Sequence, residues 1–204
     1  MKTSGVILAG GRSSRMRYNK AFAEIGGKRV IDIIVHKFSG IFDETLIISN
    51  DPEQYIALGL PVHTDVYPRL GPVSGIHAAL YHAAFDSVFV LGCDMPFMNM
   101  DLVKYMLDRL GQHDSVIPEI NGFLQPISAA YRKTCLPVMT ECLEKQLLKL
   151  VLIFKELDTI RVYEPELSHF GKVQDIFMNV NDEKALNLAR SIAGRYEYSQ
   201  AAQN

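Results

Sequence analysis

The chain has 204 residues, 48% hydrophobic and 22% charged, which is ordinary globular composition and enough to bury a substantial core. A formal net charge of -2 gives no support to nucleic-acid binding, yet the charge is uneven: residues 1–40 hold eight Lys and Arg against two acids, and the remainder holds thirteen against twenty-one. That asymmetry points to an anion site near the N-terminus.

In chain order, GVILAG (5–10) is predicted as a strand that stops at Gly10 and Gly11, followed by Arg12, Arg15, Arg17 and Lys20. VIDIIVHKFSGI (30–41) is predicted as a helix with Ile31, Ile34, Val35 and Phe38 on one face, and ETLIISN (44–50) as a strand. PEQYIALG (52–59) reads as a helix closed by Gly59, LPVHTD (60–65) as a short strand, and SGIHAALYHAAF (74–85) as a helix with Ser74 at its N-cap. SVFVLGCD (87–94) is a nearly continuous apolar run, the pattern of a central strand buried on both faces. A helix over 100–112, short segments SVIPEI (115–120) and FLQPISAAY (123–131), a helical stretch over 136–157, a strand over 158–165 and a closing helix over 182–193 complete the reading.

This alternation is the pattern of an α/β protein with a mainly parallel central sheet. Residues 1–193 are expected to form one domain and 194–204 a flexible tail. Cys93, Cys135 and Cys142 lack a CxxC spacing, so neither a disulfide framework nor a zinc site is indicated. No run approaches the roughly 20 apolar residues of a membrane helix. The expectation is a soluble, cytoplasmic protein with neither nucleic acid nor membrane as partner.

Three predicted strands end in polar groups, LAGG (8–11), ISN (48–50) and LGCD (91–94), and in an open parallel sheet such ends converge on one crevice. The backbone of Gly10 and Gly11 can approach a phosphate closely, with Arg15 as a bidentate fork and Lys20 as a mobile point charge; a tight turn beside a solvated basic loop is the alternative. Asp94, at the end of a buried strand, suits Mg²⁺ or caps the helix that follows. Asn50 and Asp65 offer polar edges to a nucleobase, and GPVSGI (71–76) reads as a rigid loop running along a base or ribose. Neither the P-loop spacing nor G-x-G-x-x-G is present.

These segments occur in the order of one family. LAGGRSSRM (8–16) with Lys20, GPVSGI (71–76), CDMPF (93–97), QPISAAY (125–131) and FMNVND (177–182) resemble the signature segments of nucleotidyltransferases of the molybdenum cofactor guanylyltransferase type. The resemblance implies a three-layer Rossmann-like nucleotidyltransferase fold. The implied reaction transfers GMP from GTP to the terminal phosphate of the molybdopterin cofactor, with Mg²⁺ as cofactor and release of pyrophosphate.

By the same resemblance, Leu8, Ala9, Gly10, Gly11, Lys20, Asn50, Asp65, Gly75 and Asp94 would bind GTP, with Arg15, Lys20 and Asp94 catalytic and Asp94 holding the metal. Gln125, Pro126, Asn179 and Asn181 would shape the pterin pocket, and cofactor-delivering proteins or molybdoenzymes would be protein partners. The chain departs from the signature at Arg17, where the family has Gly, at Asn19, where it has Asp, and after Asn181, where it has Thr-Pro. The apolar stretch 145–158 is expected to pack in the core rather than form a dimer face. Two other readings stay open: a cytidylyl or sugar/alcohol-phosphate nucleotidyltransferase of the same fold, and a non-catalytic nucleotide-binding module.

Overall fold

Strand β1 (Thr3–Leu8) is buried on both faces, and its alternation sets the layers of the molecule. In this computed structural model residues 2–10, 19–68 and 70–201 are described, with side chains through Gly194. After β1 come a hairpin, β2 (Glu24–Ile25) and β3 (Lys28–Arg29), then α1 (Val30–Ser39), β4 (Glu44–Ile48), β5 (Val62–His63), α2 (Pro72–His82) and β6 (Ser87–Gly92). The second half runs α3 (Met100–Leu110), β7 (Ser115–Ile120), β8 (Phe123–Leu124), β9 (Ser128–Arg132), α4 (Leu136–Glu144), α5 (Leu150–Ile153), β10 (Thr159–Tyr163), α6 (Glu164–Leu167), α7 (Val173–Ile176) and α8 (Glu183–Ala201).

The main sheet has the order β10-β7-β9-β6-β1-β4-β5, with β8 paired to β7. Its pairings are parallel except those of β9 with β6 and β7 and of β8 with β7. Ile7, Ile47, Phe89 and Leu91 pack on one face with Ile31 and Phe38 of α1, Leu102 of α3 and Leu186 of α8. Val6, Leu46, Val88 and Val90 pack on the other with Ile76 and Leu80 of α2, Met139 of α4 and Ile153 of α5. Helices on both faces of a mainly parallel sheet give the three-layer α/β architecture predicted for this chain.

Several predicted elements differ in form. Residues 52–59 are two 3₁₀ turns (Pro52–Gln54 and Ile56–Leu58) ending at Gly59 with φ 70°. Tyr55 is their one buried side chain and Ile56 is exposed, so there is no apolar stripe to hold a helix against the sheet. Helix α2 starts two residues before the predicted N-cap: Gly71 (φ 80°) and Pro72 open it, and Ser74 lies in its first turn, its hydroxyl donating to the Tyr67 carbonyl. GPVSGI is therefore a helix start and not a free loop.

The predicted helix over 136–157 breaks between α4 and α5, where Gln146 takes φ 56° and the Leu147 N–H donates to the Cys142 carbonyl at 2.8 Å. Only Ile153, Phe154 and Leu157 of the 145–158 stretch are buried; Leu147, Val151 and Leu152 are exposed, which corrects the core-packing expectation for that half of it. The closing helix runs on to Ala201, beyond its predicted end at 193.

β1 carries a packing requirement at Gly5. A Cβ there would lie 2.4 Å from Phe42 Cδ2 and 2.7 Å from Phe38 Cδ2, inside the Phe38–Phe42–Phe89 cluster. Gly5→Ala is expected to destabilise the protein by about 2–3 kcal/mol through overpacking, read as a lowered urea midpoint at unchanged slope.

Candidate active site

The carboxyl ends of β1, β4 and β6 lie side by side because the strands pair in register, Leu8 opposite Ile48 on one side and Gly92 on the other. Beyond the strands the alignment continues: the Ala9 N–H donates to the Ile48 carbonyl (2.8 Å) and the Cys93 N–H to the Leu8 carbonyl (3.0 Å). Strand order reverses between β1 and β6, the place where open α/β sheets bind ligands. A cleft of about 730 Å³ opens there, lined by Leu8, Gly10, Lys20, Asn50, Asp65, Gly75 and Asp94, together with Ser49, Asp51, Gly71, Ile127 and others. A smaller depression joins it at Ala9, Gly10, Asn19, Lys20 and Tyr55.

Asp94 follows β6 and is 4% exposed. Its carboxylate is paired with the Lys20 ammonium, which also donates to Asn181 Oδ1 at 2.8 Å. The Asp94 carbonyl accepts from the Val180 N–H at 2.8 Å, so the segment carrying Asn179 and Asn181 is tied to the same point. Asp94 does not cap a helix: Asn99 caps α3, its Oδ1 accepting from the N–H groups of Asp101 and Leu102. A Cβ on Gly92 would come 2.8 Å from Asp94 Oδ1, so only glycine at 92 leaves the carboxylate where it is. The buried Cys93 thiol is pushed up to about 12, first by burial and then by the Asp94 charge, and is an unreactive neighbour.

Lys20 stands on a short 3₁₀ turn (Lys20–Phe22) capped by Asn19, whose Oδ1 accepts from the Ala21 N–H. Asn19 Nδ2 donates to Gln54 Oε1 (2.8 Å) and to the Tyr55 hydroxyl (2.7 Å). Burial raises Tyr55 to about 12, so the phenol stays protonated. The amide that departs from the family's Asp thus fastens the Lys20 turn to the 52–58 segment.

Opposite, Asn50 and Asp65 are reciprocally bonded: Asn50 Nδ2 donates to Asp65 Oδ2 (2.8 Å) and the Asp65 N–H to Asn50 Oδ1 (3.3 Å). Gly75 faces Leu8, with a Cβ there falling 3.4 Å from Leu8 Cδ1. A Cβ at Gly10 would meet none of the described residues within 4 Å, and Gly10 lines the cleft.

The residues carried over to a second pocket are less uniform. Asn181 reaches Lys20; Gln125 folds its amide back onto the Phe123 carbonyl (3.1 Å), and the Pro126 carbonyl accepts from the buried Tyr131 hydroxyl (2.7 Å). Neither Gln125 nor Pro126 lines the cleft, whereas their neighbour Ile127 does. Asn179 Oδ1 is buried without a hydrogen-bond partner among the described residues, a polar atom left over by the fold. Gly11 and Arg15, with Arg12 and Arg17, lie outside the described residues.

Sequence reasoning marked Asn19 only as a departure from the signature and missed Gln54 and Tyr55, because their shared role appears only when 19 and 54–55 meet. It also missed Lys37, whose ammonium reaches from α1 to the carbonyls of Pro96 (2.7 Å) and Met98 (3.0 Å) just after Asp94. Burial lowers Lys37 to about 8.

A cleft at the switch point of a three-layer sheet, with a lysine paired to a buried carboxylate at its floor, defines a nucleotide-handling α/β protein. Residues 5–160 match the MobA-like NTP transferase domain. A probable molybdenum cofactor guanylyltransferase of Clostridium perfringens (strain 13) is 44% identical over 149 residues, 72% of this chain and 73% of that one. One from Pelotomaculum thermopropionicum is 36% identical over 95% of this chain and 94% of its own. The crystal structure of molybdopterin-guanine dinucleotide biosynthesis protein A from Archaeoglobus fulgidus superposes with a TM-score of 0.82 at 24% identity, covering 94% of this chain and 99% of that one, a likeness of fold. The chain belongs to the MobA-like NTP transferase family and is a nucleotidyltransferase.

That membership implies a need for a divalent metal. Among the described residues no group of three or more His, Cys, Asp or Glu could hold one. Asp94 nonetheless fits a hard cation that takes one protein carboxylate and draws its other ligands from water and substrate phosphates. No helix among the described residues is long and apolar enough to cross a membrane.

Two outcomes are expected. Gly92→Ala will displace the Asp94 carboxylate by several tenths of an ångström, lowering turnover by roughly tenfold or more while changing the melting temperature little, measured by steady-state kinetics beside calorimetry. Because folding disfavours the charged form of Lys37, wild-type stability relative to Lys37→Met will rise as pH goes from about 8 toward 10.5, read from urea midpoints across that window.

Proposed function

We propose that this chain transfers GMP from GTP to the terminal phosphate of the molybdenum-molybdopterin cofactor, releasing pyrophosphate. The observation that carries the reading is the pairing of Lys20 with the buried Asp94 at the switch-point cleft of a chain whose relatives bear the guanylyltransferase name. Unpaired cysteines, two of them buried, agree with action in the cytoplasm.

In this reading GTP lies along the carboxyl edge of β1, β4 and β6. The Ala9 N–H is already used by Ile48, so Ala9 and Leu8 give the nucleotide a backbone wall, and Gly10 in the cleft lining meets the phosphates, a role the resemblance extends to Gly11 and Arg15. Asp65, oriented by Asn50, presents a carboxylate to the adjacent N1–H and N2–H donors of guanine; cytosine offers only one such donor beside an acceptor. Gly75 lets α2 approach Leu8 at the wall of the cleft.

The pterin phosphate, ionised near neutral pH, attacks the α-phosphorus. A new P–O bond forms as the α–β bridging P–O bond breaks, and pyrophosphate leaves with the bonding electrons, so no general base is needed. Lys20 and Arg15 supply positive charge to the phosphates, and Asp94 would hold Mg²⁺. Bound there, Mg²⁺ would neutralise charge on the triphosphate and the leaving pyrophosphate. Catalysis is positioning and electrostatics. Asn179, with its unused buried oxygen, and Asn181 face the pterin, and Gln125 and Pro126 support that wall through Ile127. Proteins that supply or receive the cofactor would be its protein partners.

Calorimetric titration with GTP, CTP and ATP, each with and without Mg²⁺, followed by pyrophosphate release in the presence of the pterin cofactor, tests this. The expected result is Mg²⁺-dependent binding selective for GTP, weakened roughly tenfold or more by Asp65→Asn, and turnover reduced about a hundredfold or more by Asp94→Ala or Lys20→Ala. Tighter CTP binding would overturn the base assignment, and binding without turnover would overturn the transferase reading.

A further inference from the structure

We propose that Lys20 is the resident counter-cation of Asp94 and bars a divalent metal from it until a nucleoside triphosphate draws the lysine away, so that metal and triphosphate enter the cleft together. The proposal rests on the reading of Asp94 as the metal-holding residue.

A carboxylate that is 4% exposed needs a compensating charge. Among the described residues Lys20 is the cation paired with it. The lysine side chain is itself 22% exposed and spends two of its three donors on Asp94 and Asn181. A divalent ion at Asp94 would stand beside a like charge on the same carboxylate. To bind alone it must displace the ammonium and leave that charge with one neutral oxygen, Asn181 Oδ1, as its described partner. A triphosphate changes this balance, because its oxygens give the ammonium stronger acceptors than an amide oxygen.

The anchoring of Lys20 makes the exchange local. Its backbone turn is fixed by the Asn19 cap and by the bonds from Asn19 to Gln54 and Tyr55, with Ala21 fully buried behind it. What remains free to move is the four-carbon stem. The ammonium can rotate from carboxylate to phosphate without any displacement of the backbone. Asn181 is then a positioning residue acting through Lys20, holding the ammonium at the junction of the nucleotide end and the wall assigned to the pterin. Because coupling is reciprocal, a triphosphate that lifts the barrier to metal is held more tightly by metal in the same proportion.

The test is titration of Mn²⁺ without nucleotide, following free Mn²⁺ by electron paramagnetic resonance, on wild type, Lys20→Met, Lys20→Gln, and each Lys20 variant combined with Asp94→Asn. Lys20→Gln keeps a donor for the carboxylate and guards against misfolding, which circular dichroism checks. Both single variants are expected to bind Mn²⁺ roughly tenfold or more tightly than wild type, and the added Asp94→Asn to abolish that gain. Lys28→Gln, an exposed charge outside the cleft, is expected to change Mn²⁺ affinity by less than about twofold.

If the Lys20 variants bind Mn²⁺ no better than wild type, or not at all, the barrier is overturned while the guanylyltransferase reading stands. A gain that survives Asp94→Asn puts the metal elsewhere, and the assignment of Asp94 falls with the proposal. A gain matched by Lys28→Gln reduces the effect to general charge and overturns it as well.

Discussion

Burial of β1, β4 and β6 on both faces constrains everything else in this molecule. A strand with apolar side chains in two cores cannot slip by one residue without exchanging its faces, so the register of the three strands is fixed by packing. Fixed register aligns their carboxyl ends, and the alignment continues past them through the bonds of Ala9 to Ile48 and Cys93 to Leu8. The cleft and its polar lining follow from that.

The same packing creates the electrostatic problem at the floor of the site. Delivering Asp94 from a fully buried strand puts a carboxylate where water is scarce, and Gly92 leaves it room on one side. The chain answers with a cation from a distant turn, Lys20, and a third group, Asn181, from the segment hung on the Asp94 carbonyl. Three pieces of sequence far apart thus share one buried charge. That shared charge is what the proposed exchange between carboxylate and triphosphate would act on.

Much of the fold was legible because strands buried on both faces read as apolar runs and surface helices as periodic ones: β1, β4, β6, α1 and α3 lie within a few residues of their predicted bounds. Misread elements share a cause. The 52–59 segment has helix-forming residues but one buried anchor, and 136–157 is periodic but reverses at Gln146, a left-handed residue that composition does not announce. Propensity describes what a segment tolerates; packing against neighbours decides what it adopts. The hairpin over 24–29 and the short helices α6 and α7 are too brief for periodicity to register.

By itself the sequence determined the fold class, the strand ends that carry chemistry, and the ordered motifs that placed Gly10, Lys20, Asn50, Asp65, Gly75 and Asp94 in one list of candidates. These are local properties, set by which side chains follow a buried run. Tertiary structure alone decided who meets whom: Lys20 with Asp94 and Asn181, Asn19 with Gln54 and Tyr55, Lys37 with the carbonyls behind Asp94, and Ile127 rather than Gln125 at the cleft wall. Those contacts join residues 35 to 161 positions apart, and no local pattern records them, because charge compensation in a buried site depends on distance in space and not along the chain.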